Sequence, residues 1–311
     1  MHSHPKPNLG LSHCLVGAPV RYDGGDRRDD WIVETLAPHV TLWPVCPEVE
    51  AGFGTPREPM HLEAGERGVI RLLGNDSGRD LTAALRTQVE RRVPELAAAG
   101  LDGYILKARS PSCGLSVAVS GREGAAPGFY AAALVRKLPD LPVVEESGLA
   151  DAAGREAFCI RLFARARLRR FFSSPWTAGG LSAFHAREKM LLLAQDRTRY
   201  DRLGRLVAGA GARPAGALAR DYVAGFMAAL ALAGSIGNHV NVLQHLAGHF
   251  REGLEAARRT ALHEAIEAYR NGALPRGRVL ALLGDLADEL ELSWVREQSY
   301  LAPCPPELLA R

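Results

Sequence analysis

From residue 8 to about residue 150, short apolar runs alternate with longer stretches of helical character, and this alternation limits the fold more than any other feature of the chain. Residues 9–11, 40–45 and 104–106 have the length and apolarity of buried strands. Residues 82–99, stopped by Gly100, and 130–138 have the length of helices. Strands separated by helices pair in parallel, because a parallel connection must cross the sheet face and a helix is the usual way across. Loops rich in Gly, Pro and Asp, at 17–30, 52–59 and 74–80, separate the elements. Past residue 155 the strand-like runs stop. An Arg-rich helical pattern covers 155–170, and the turn signals Ser173-Ser174-Pro175 and Gly179-Gly180 interrupt it. Helical stretches follow at 181–207, 218–233, 240–270 and 278–290. The expected fold is an α/β N-terminal domain with a mostly parallel sheet over 8–160, a linker over 161–178, and an all-α helical-bundle domain over 179–303.

The 311 residues suffice for two such cores, and 47% hydrophobic with 23% charged residues describes a globular chain. No apolar run approaches the ~20 residues that cross a bilayer. The N-terminus, MHSHPKPNLG, lacks the apolar centre of a secretory signal, so a cytoplasmic protein without a membrane partner is expected. The five cysteines, Cys14, Cys46, Cys113, Cys159 and Cys304, are odd in number and scattered. That suits thiols, nucleophiles or metal ligands better than a disulfide framework.

Three of the five share one context. Cys14 in GLSHCLVG, Cys46 in VTLWPVCPEVE and Cys113 in GYILKARSPSCG each follow an apolar strand and sit beside a loop of Pro, Gly or small residues. In an open parallel sheet the carboxyl ends of the strands lie along one edge, where ligands bind. Cysteines 32 and 67 residues apart would meet there. Three buried packing thiols are the alternative. As ligands, three thiolates suit a soft metal centre. Structural zinc usually takes four ligands and often uses local C-x-x-C pairs, which are not found here. A four-iron cluster held by three cysteines keeps one iron open. Cys159, between Phe158 and Ile160, is expected in the core, and Cys304 in APCPPE is expected to be structural or idle.

Glu48 lies two residues past Cys46, and Ser110 three before Cys113. A partly desolvated carboxylate beside a metal centre can act as a general base on water, and a hydroxyl can bond substrate or pass a proton. A helix-start carboxylate is the structural alternative for Glu48. Asp23 follows Cys14 within RYDGGDRRD, and Arg21, Arg57 and Lys107 could bind an anion.

At these residues the chain resembles a known family. SHCLVGAPVRYDGG, CPEVEAGFGTPREP and KARSPSCG resemble, in order and spacing, the signature segments of the bacterial thiouracil desulfidases. EESGLADAAGREAF, residues 145–158, resembles the end of that domain. The resemblance covers roughly residues 9–160. It implies a 4Fe–4S cluster on Cys14, Cys46 and Cys113, with one iron free of protein ligands, and catalytic roles for Glu48 and Ser110. The helical half is similar to the domain fused to such desulfidases in longer proteins, through LSAFHAREKMLLLAQDRTRYDRLGRLVA, NHVNVLQHLAGHF and EQSYLAPCP. Gln195 and Cys304 stand where relatives commonly carry His. The two-domain proteins resemble desulfidases of 4-thiouridine in tRNA, and the resemblance implies that substrate here.

The second half has the charge such a partner needs. Residues 155–205 carry twelve Arg or Lys against four Asp or Glu. If 187–205 is one helix, Arg187, Arg202 and Arg205 fall within about 60° of one another. Such a stripe can track phosphates, although a solvated charged face is the plainer reading. Arg169, Arg170, Arg187, Lys189, Arg202 and Arg205, with Arg21 and Asp23 near the cysteines, are the candidate substrate or RNA contacts. His185 and Lys189 are four apart and share a face. Asn241, Gln244, His245 and Gly248 share another, where interhelical hydrogen bonds are expected for Asn241 and Gln244. His245 and His249 have metal-ligand spacing but lack the glutamate of the zinc-protease motif.

The expected reaction is hydrolytic removal of sulfur from thiolated uracil, giving uridine and sulfide without net electron transfer. Glu48 deprotonates water, and Ser110 bonds substrate or passes a proton. A tRNA thiolation enzyme is one alternative, for which no G-x-x-x-x-G-K-[ST] segment is found. A non-catalytic iron–sulfur RNA-binding protein is another. No DNA partner is expected.

Overall fold

The computed structural model describes residues 4–309. The chain divides into two compact units, Pro5–Arg169 and a second that takes over at Arg170. Eight strands form among the described residues: β1 (Asn8–Ser12), β2 (Thr41–Val45), β3 (Met60–Ala64), β4 (Ile70–Gly74), β5 (Gly103–Leu106), β6 (Val117–Ser120), β7 (Ala125–Ala126) and β8 (Val143–Glu145). All lie in the first unit.

The first sheet has the order β2-β1-β5-β8 and is parallel throughout. The three strands expected from the sequence are in it. Leu9, Leu11 and all of β5 are buried, as in parallel strands covered on both faces. Pro44 is tolerated because β2 is an edge strand. Gly10 is required by its neighbour: a Cβ there would stand 2.2 Å from the Tyr104 ring across the ladder.

A second sheet, in the order β4-β3-β6-β7, is mixed and has no counterpart in the sequence reading. Its strands MHLEA and IRLLG are partly exposed and each carries charged or polar residues inside, so neither shows an uninterrupted apolar run. Between the sheets run the short α1 (Pro47–Glu50), then α2 (Thr82–Ala98) and α3 (Phe129–Lys137). Leu85, Val89, Val93 and Leu96 of α2 and Tyr130, Ala131 and Leu134 of α3 join Leu62, Leu72, Tyr104, Leu106 and Val119 in one core. Each fully buried Leu or Val there contributes roughly 1.5–3 kcal/mol. The helix α4 (Ala152–Phe172) follows, carrying Cys159 at 0% exposure.

The expected linker over 161–178 is therefore corrected. Most of it is the continuation of α4, because Leu162, Phe163, Ala166 and Leu168 keep a helical apolar face buried despite the arginines between them. The division between units falls inside this helix.

The second unit is helical: α5 (Ala178–Gln195), α6 (Arg197–Ala208), α7 (Ala215–Leu230), α8 (Ile236–Gly248), α9 (Ala256–Arg270), α10 (Arg276–Glu289) and the single turn α11 (Ser293–Arg296). Two stretches read as continuous are each two helices. In the first, Asp196 adopts φ −154° and ψ 110° and caps α6, its carboxylate accepting from Arg199 N at 2.7 Å. In the second, residues 249–255 interrupt the helix between α8 and α9. The break at Asp196 removes the premise of an arginine stripe along one helix, since Arg187 lies on α5 and Arg202 and Arg205 on α6. No helix among the described residues is long and apolar enough to cross a membrane.

Candidate active site

The carboxyl ends of β1, β2 and β5 lie side by side, with Ser12 opposite Val45 and Leu11 opposite Ile105. From β1 the chain moves outward to β2 and later returns to the other side of β1, a switch of the kind beside which open α/β sheets bind ligands. A cavity of about 300 Å³ opens there, lined among others by Cys14, Cys46, Cys113, Glu48, Ser110 and the cations Arg21, Arg57 and Lys107.

Local structure brings each group to this cavity. Cys14 occupies a single 3-10 turn, His13–Val16, which Gly17 ends at φ 87°. Arg27 N donates to Cys14 O at 3.0 Å, folding the polar RYDGGDRRD loop back over that turn. Cys46 is the extended residue that starts α1, and Pro47 presets the first helical turn. Cys113 ends a loop that begins at Arg109, a non-glycine residue held at φ 62°.

Two carboxylates from the EES segment brace that loop. Glu146 pairs with Lys107 and accepts from Ala108 N at 2.6 Å, and Glu145 accepts from Leu115 N at 2.7 Å. Ser112 O accepts the Tyr130 and Ala131 N–H groups that open α3, at 3.0 and 3.2 Å. Gly128 allows this approach, because a Cβ there would lie 2.5 Å from the Ser112 carbonyl.

Glu48 is 8% exposed and fully engaged. Its Oε2 accepts from Arg57 Nε at 3.0 Å and Nη2 at 2.5 Å. Its Oε1 accepts from Ser110 Oγ at 3.3 Å and from Ser112 Oγ. Arg57 also donates to Val20 O at 3.0 Å and Gly54 O at 2.9 Å, so one guanidinium ties α1 to two loops. Ser112, at 0% exposure, was not a sequence candidate. Its one available signal was its place between Ser110 and Cys113 in SPSC.

The donor set fits a soft, positively charged centre. Burial, then the neighbouring Cys46, pushes the Cys14 thiol up to about 11, against the pull of Lys107 and Arg21. Burial also raises Cys46. Cys113 rises through burial and then through Glu48, with smaller pushes from the other two cysteines. Thiols that disfavour one another's ionisation become thiolates when a metal supplies the missing charge. Arg21 Nε is buried without a hydrogen bond, its nearest anionic group being Asp23 at 3.5 Å. No three His, Cys, Asp or Glu side chains among the described residues draw together around one metal ion.

The remaining candidates separate. Asp23 is outside the cavity lining, in solvent, its carboxyl held below the usual range by the Gly25 N–H and 3.5 Å from Arg21 Nε. Arg169 is committed elsewhere: it forks onto Asp102, itself 0% exposed, with Nε–Oδ1 2.9 Å and Nη2–Oδ2 2.8 Å. That is a structural ion pair, which removes Arg169 from the RNA contacts. Arg170, Arg187, Arg202 and Arg205 are exposed, and Lys189 is half-buried. Arg187 lies over the Phe184 ring at 5.8 Å. His185 does not share an open face with Lys189; it is buried, stacked on Tyr200 and bonded to Tyr222 OH at 3.0 Å. Asn241 and Gln244 face solvent, contrary to the interhelical bonds expected of them. Gln195 Oε1 accepts from Gly234 N at 2.9 Å, a fixed helical-unit contact.

Fold and site together define an α/β protein with a cysteine-lined cavity at the ends of its parallel strands. Residues 9–146 match the model of the 2-thiouracil desulfurase family, and residues 189–305 match that of a protein family of unknown function, DUF1722. A solved structure described as the [4Fe-4S]-dependent thiouracil desulfidase TudS is 32% identical, covering 46% of this chain and 93% of that one, with a TM-score of 0.38. The uncharacterized proteins YbgA of Escherichia coli (strain K12) and YbbK of Bacillus subtilis (strain 168) are each 29% identical over 150 residues. These matches span 47% and 45% of this chain and 87% and 97% of the two relatives. The N-terminal unit thus resembles the 2-thiouracil desulfurase family.

Proposed function

We propose that this chain is a hydrolytic desulfidase of thiolated uracil, that it holds a 4Fe–4S cluster on Cys14, Cys46 and Cys113, and that 4-thiouridine in tRNA is its substrate. One observation carries the reading: cysteines from three separate strand ends line one cavity with Glu48 and Ser110. The match to the 2-thiouracil desulfurase family and the printed activity of TudS support the same chemistry. When bound, such a cluster supplies a soft Lewis acid for the thiocarbonyl sulfur.

The chain's own residues do the rest. Arg21 and Lys107 balance negative charge in the cavity. Arg57 fixes the Glu48 carboxylate, which takes a proton from water. The water oxygen bonds the ring carbon, the carbon–sulfur bond breaks, and sulfur leaves as sulfide, so no net electron transfer is needed. Ser110, on the cavity wall, reaches both the water and Glu48. A base in tRNA must leave its stack to enter, at a cost of a few kcal/mol. Phosphate contacts from exposed Arg170, Arg187, Arg202 and Arg205 offset that cost.

The test is mass spectrometry of nucleosides from thiolated tRNA, and of free thiouracil, after incubation with the anaerobically reconstituted protein alone. Loss of sulfur from the base with release of sulfide is expected. Salt-dependent tRNA binding without sulfide would instead favour a non-catalytic RNA-binding protein, and a requirement for a nucleotide and a sulfur donor would favour a thiolation enzyme.

A further inference from the structure

A carboxylate has about four lone-pair positions, and at Glu48 each has a protein donor within reach, although the single Ser110 proton serves either Glu48 or Ser112. Arg57 fills two on Oε2, and the Ser110 and Ser112 hydroxyls reach two on Oε1. With the Ser110 proton on Glu48 no position is left for a cavity water, and with it on Ser112 the hydroxyl chain is complete. Glu48 itself forms part of the cavity lining, and the hydroxyls give protons a second route to it. Arg57 has no acceptor, and Ser112 is fully buried and outside the cavity lining, whereas Ser110 forms part of that lining.

The two hydroxyls can be ordered by counting protons, since each carries one. Ser112 gives its proton to Glu48 Oε1 in the closest contact of the group. Ser110 can point at Glu48 Oε1, 3.3 Å away, or at Ser112 Oγ, 3.1 Å away. The oxygen of Ser110 is meanwhile held by two backbone donors, Cys113 N at 3.2 Å and Ser112 N at 3.4 Å. These amides stabilise negative charge on Ser110 Oγ while its proton departs. The shorter chain of contacts runs from the cavity to Ser110, to Ser112, to Glu48.

We infer that Ser110 and Ser112 form a two-hydroxyl proton relay between the cavity water and Glu48, with Ser112 as a positioning residue that acts through Ser110. The inference rests on the hydrolytic reading above. As the water oxygen bonds the ring carbon, its proton passes to Ser110 Oγ, that of Ser110 to Ser112 Oγ, and that of Ser112 to Glu48 Oε1. Both serines stay neutral, and Glu48 becomes a carboxylic acid. The reverse shift returns that proton to the sulfur, and the remaining hydroxyl proton follows the same relay to Glu48 as the carbonyl forms and the carbon–sulfur bond breaks, so one water and one thiocarbonyl give one carbonyl, one hydrosulfide and one proton held by Glu48.

The experiment is single-turnover desulfuration of 2-thiouracil and 4-thiouridine by the reconstituted full chain in mixtures of light and heavy water. Rate is plotted against deuterium fraction for the wild type and Ser112→Ala, with iron content measured for both. A downward-bowed plot is expected for the wild type, because several protons move together. Ser112→Ala should hold the same iron, lose about 10²-fold in rate and give a straighter plot. A linear wild-type plot overturns the relay, and so does a Ser112→Ala rate within about threefold of wild type. If Ser112→Ala takes up no iron, the wild-type plot decides alone. A loaded wild type that releases no sulfide removes the hydrolytic reading and the relay with it, whereas sulfide release with a linear plot removes only the relay.

Discussion

Arg57→Met isolates the most heavily used side chain of the site. The guanidinium makes two bonds to Glu48, at 3.0 and 2.5 Å, and two to the Val20 and Gly54 carbonyls, at 3.0 and 2.9 Å. Both partners of the ion pair are shielded, with side-chain exposures of 7% and 11%, so water screens it little. Methionine fills much of the same volume but leaves Glu48 as a buried charge with only two serine hydroxyls. Breaking a buried pair from one side costs about 3–5 kcal/mol. Two lost charge-assisted bonds at roughly 1.5–3 kcal/mol each give the same range. For a unit of this size the loss lowers the melting temperature by on the order of 10 °C. Calorimetry of the metal-free full chain should show the shift in the transition of the first unit alone. Adding Glu48→Gln removes the stranded charge, so the double variant should recover about 2 kcal/mol relative to Arg57→Met. A shift equivalent to under about 0.5 kcal/mol for Arg57→Met, or strict additivity in the double variant, would refute the clamp.

Three further outcomes are expected. Replacing Cys14, Cys46 or Cys113 singly with Ala should lower iron uptake from about four per chain and bleach the visible absorbance, whereas Cys159→Ala leaves both unchanged. Arg202→Ala and Arg205→Ala should each reduce the slope of log affinity for tRNA against log salt by about 0.7–0.9, measured by filter binding. Unchanged slopes would remove those residues from the RNA surface. His239, buried and bonded to Tyr300 OH at 2.8 Å with Arg276 against its ring, is pushed down to about 4 by burial and then by Arg276. Its folded value lies below its unfolded one, so the stability it contributes is complete above about pH 6.5 and is lost as pH falls from there toward 4. About 3 kcal/mol is at stake, and denaturant titration of the full chain at pH 7 and pH 4.5 should show a smaller difference for His239→Gln than for wild type.

The parallel sheet was legible because β1 and β5 are buried on both faces, and because even the half-exposed edge strand β2 keeps an apolar run. The second sheet was not, because half-exposed strands such as MHLEA interrupt their apolar residues with polar and charged ones. The helix boundaries show the same limit: Asp196 ends one helix and caps the next through its own carboxylate, and in a chain rich in charge such a residue looks like any other solvated acid. Arg169 misled for a related reason. Within an arginine-rich segment nothing local distinguishes a cation facing solvent from one forked onto a buried Asp102, whose partner lies 67 residues away.

The site divides along the same line. Cys14, Cys46, Cys113, Glu48 and Ser110 could be expected to line one cavity because position along a strand end is a sequence property, and a parallel sheet turns it into proximity. What Glu48 can do is not a sequence property. Its reach depends on which donors already occupy it, and those come from Arg57 in one loop and from two serines in another. A glutamate two residues past a cysteine suggests a base acting directly on water. The packed site places it on the cavity wall and at one end of a hydroxyl chain, with its far oxygen held by a guanidinium. The residue that sets this difference is Ser112, the least exposed of the group and outside the cavity lining, and the only hint of it in the chain was a second serine beside a cysteine.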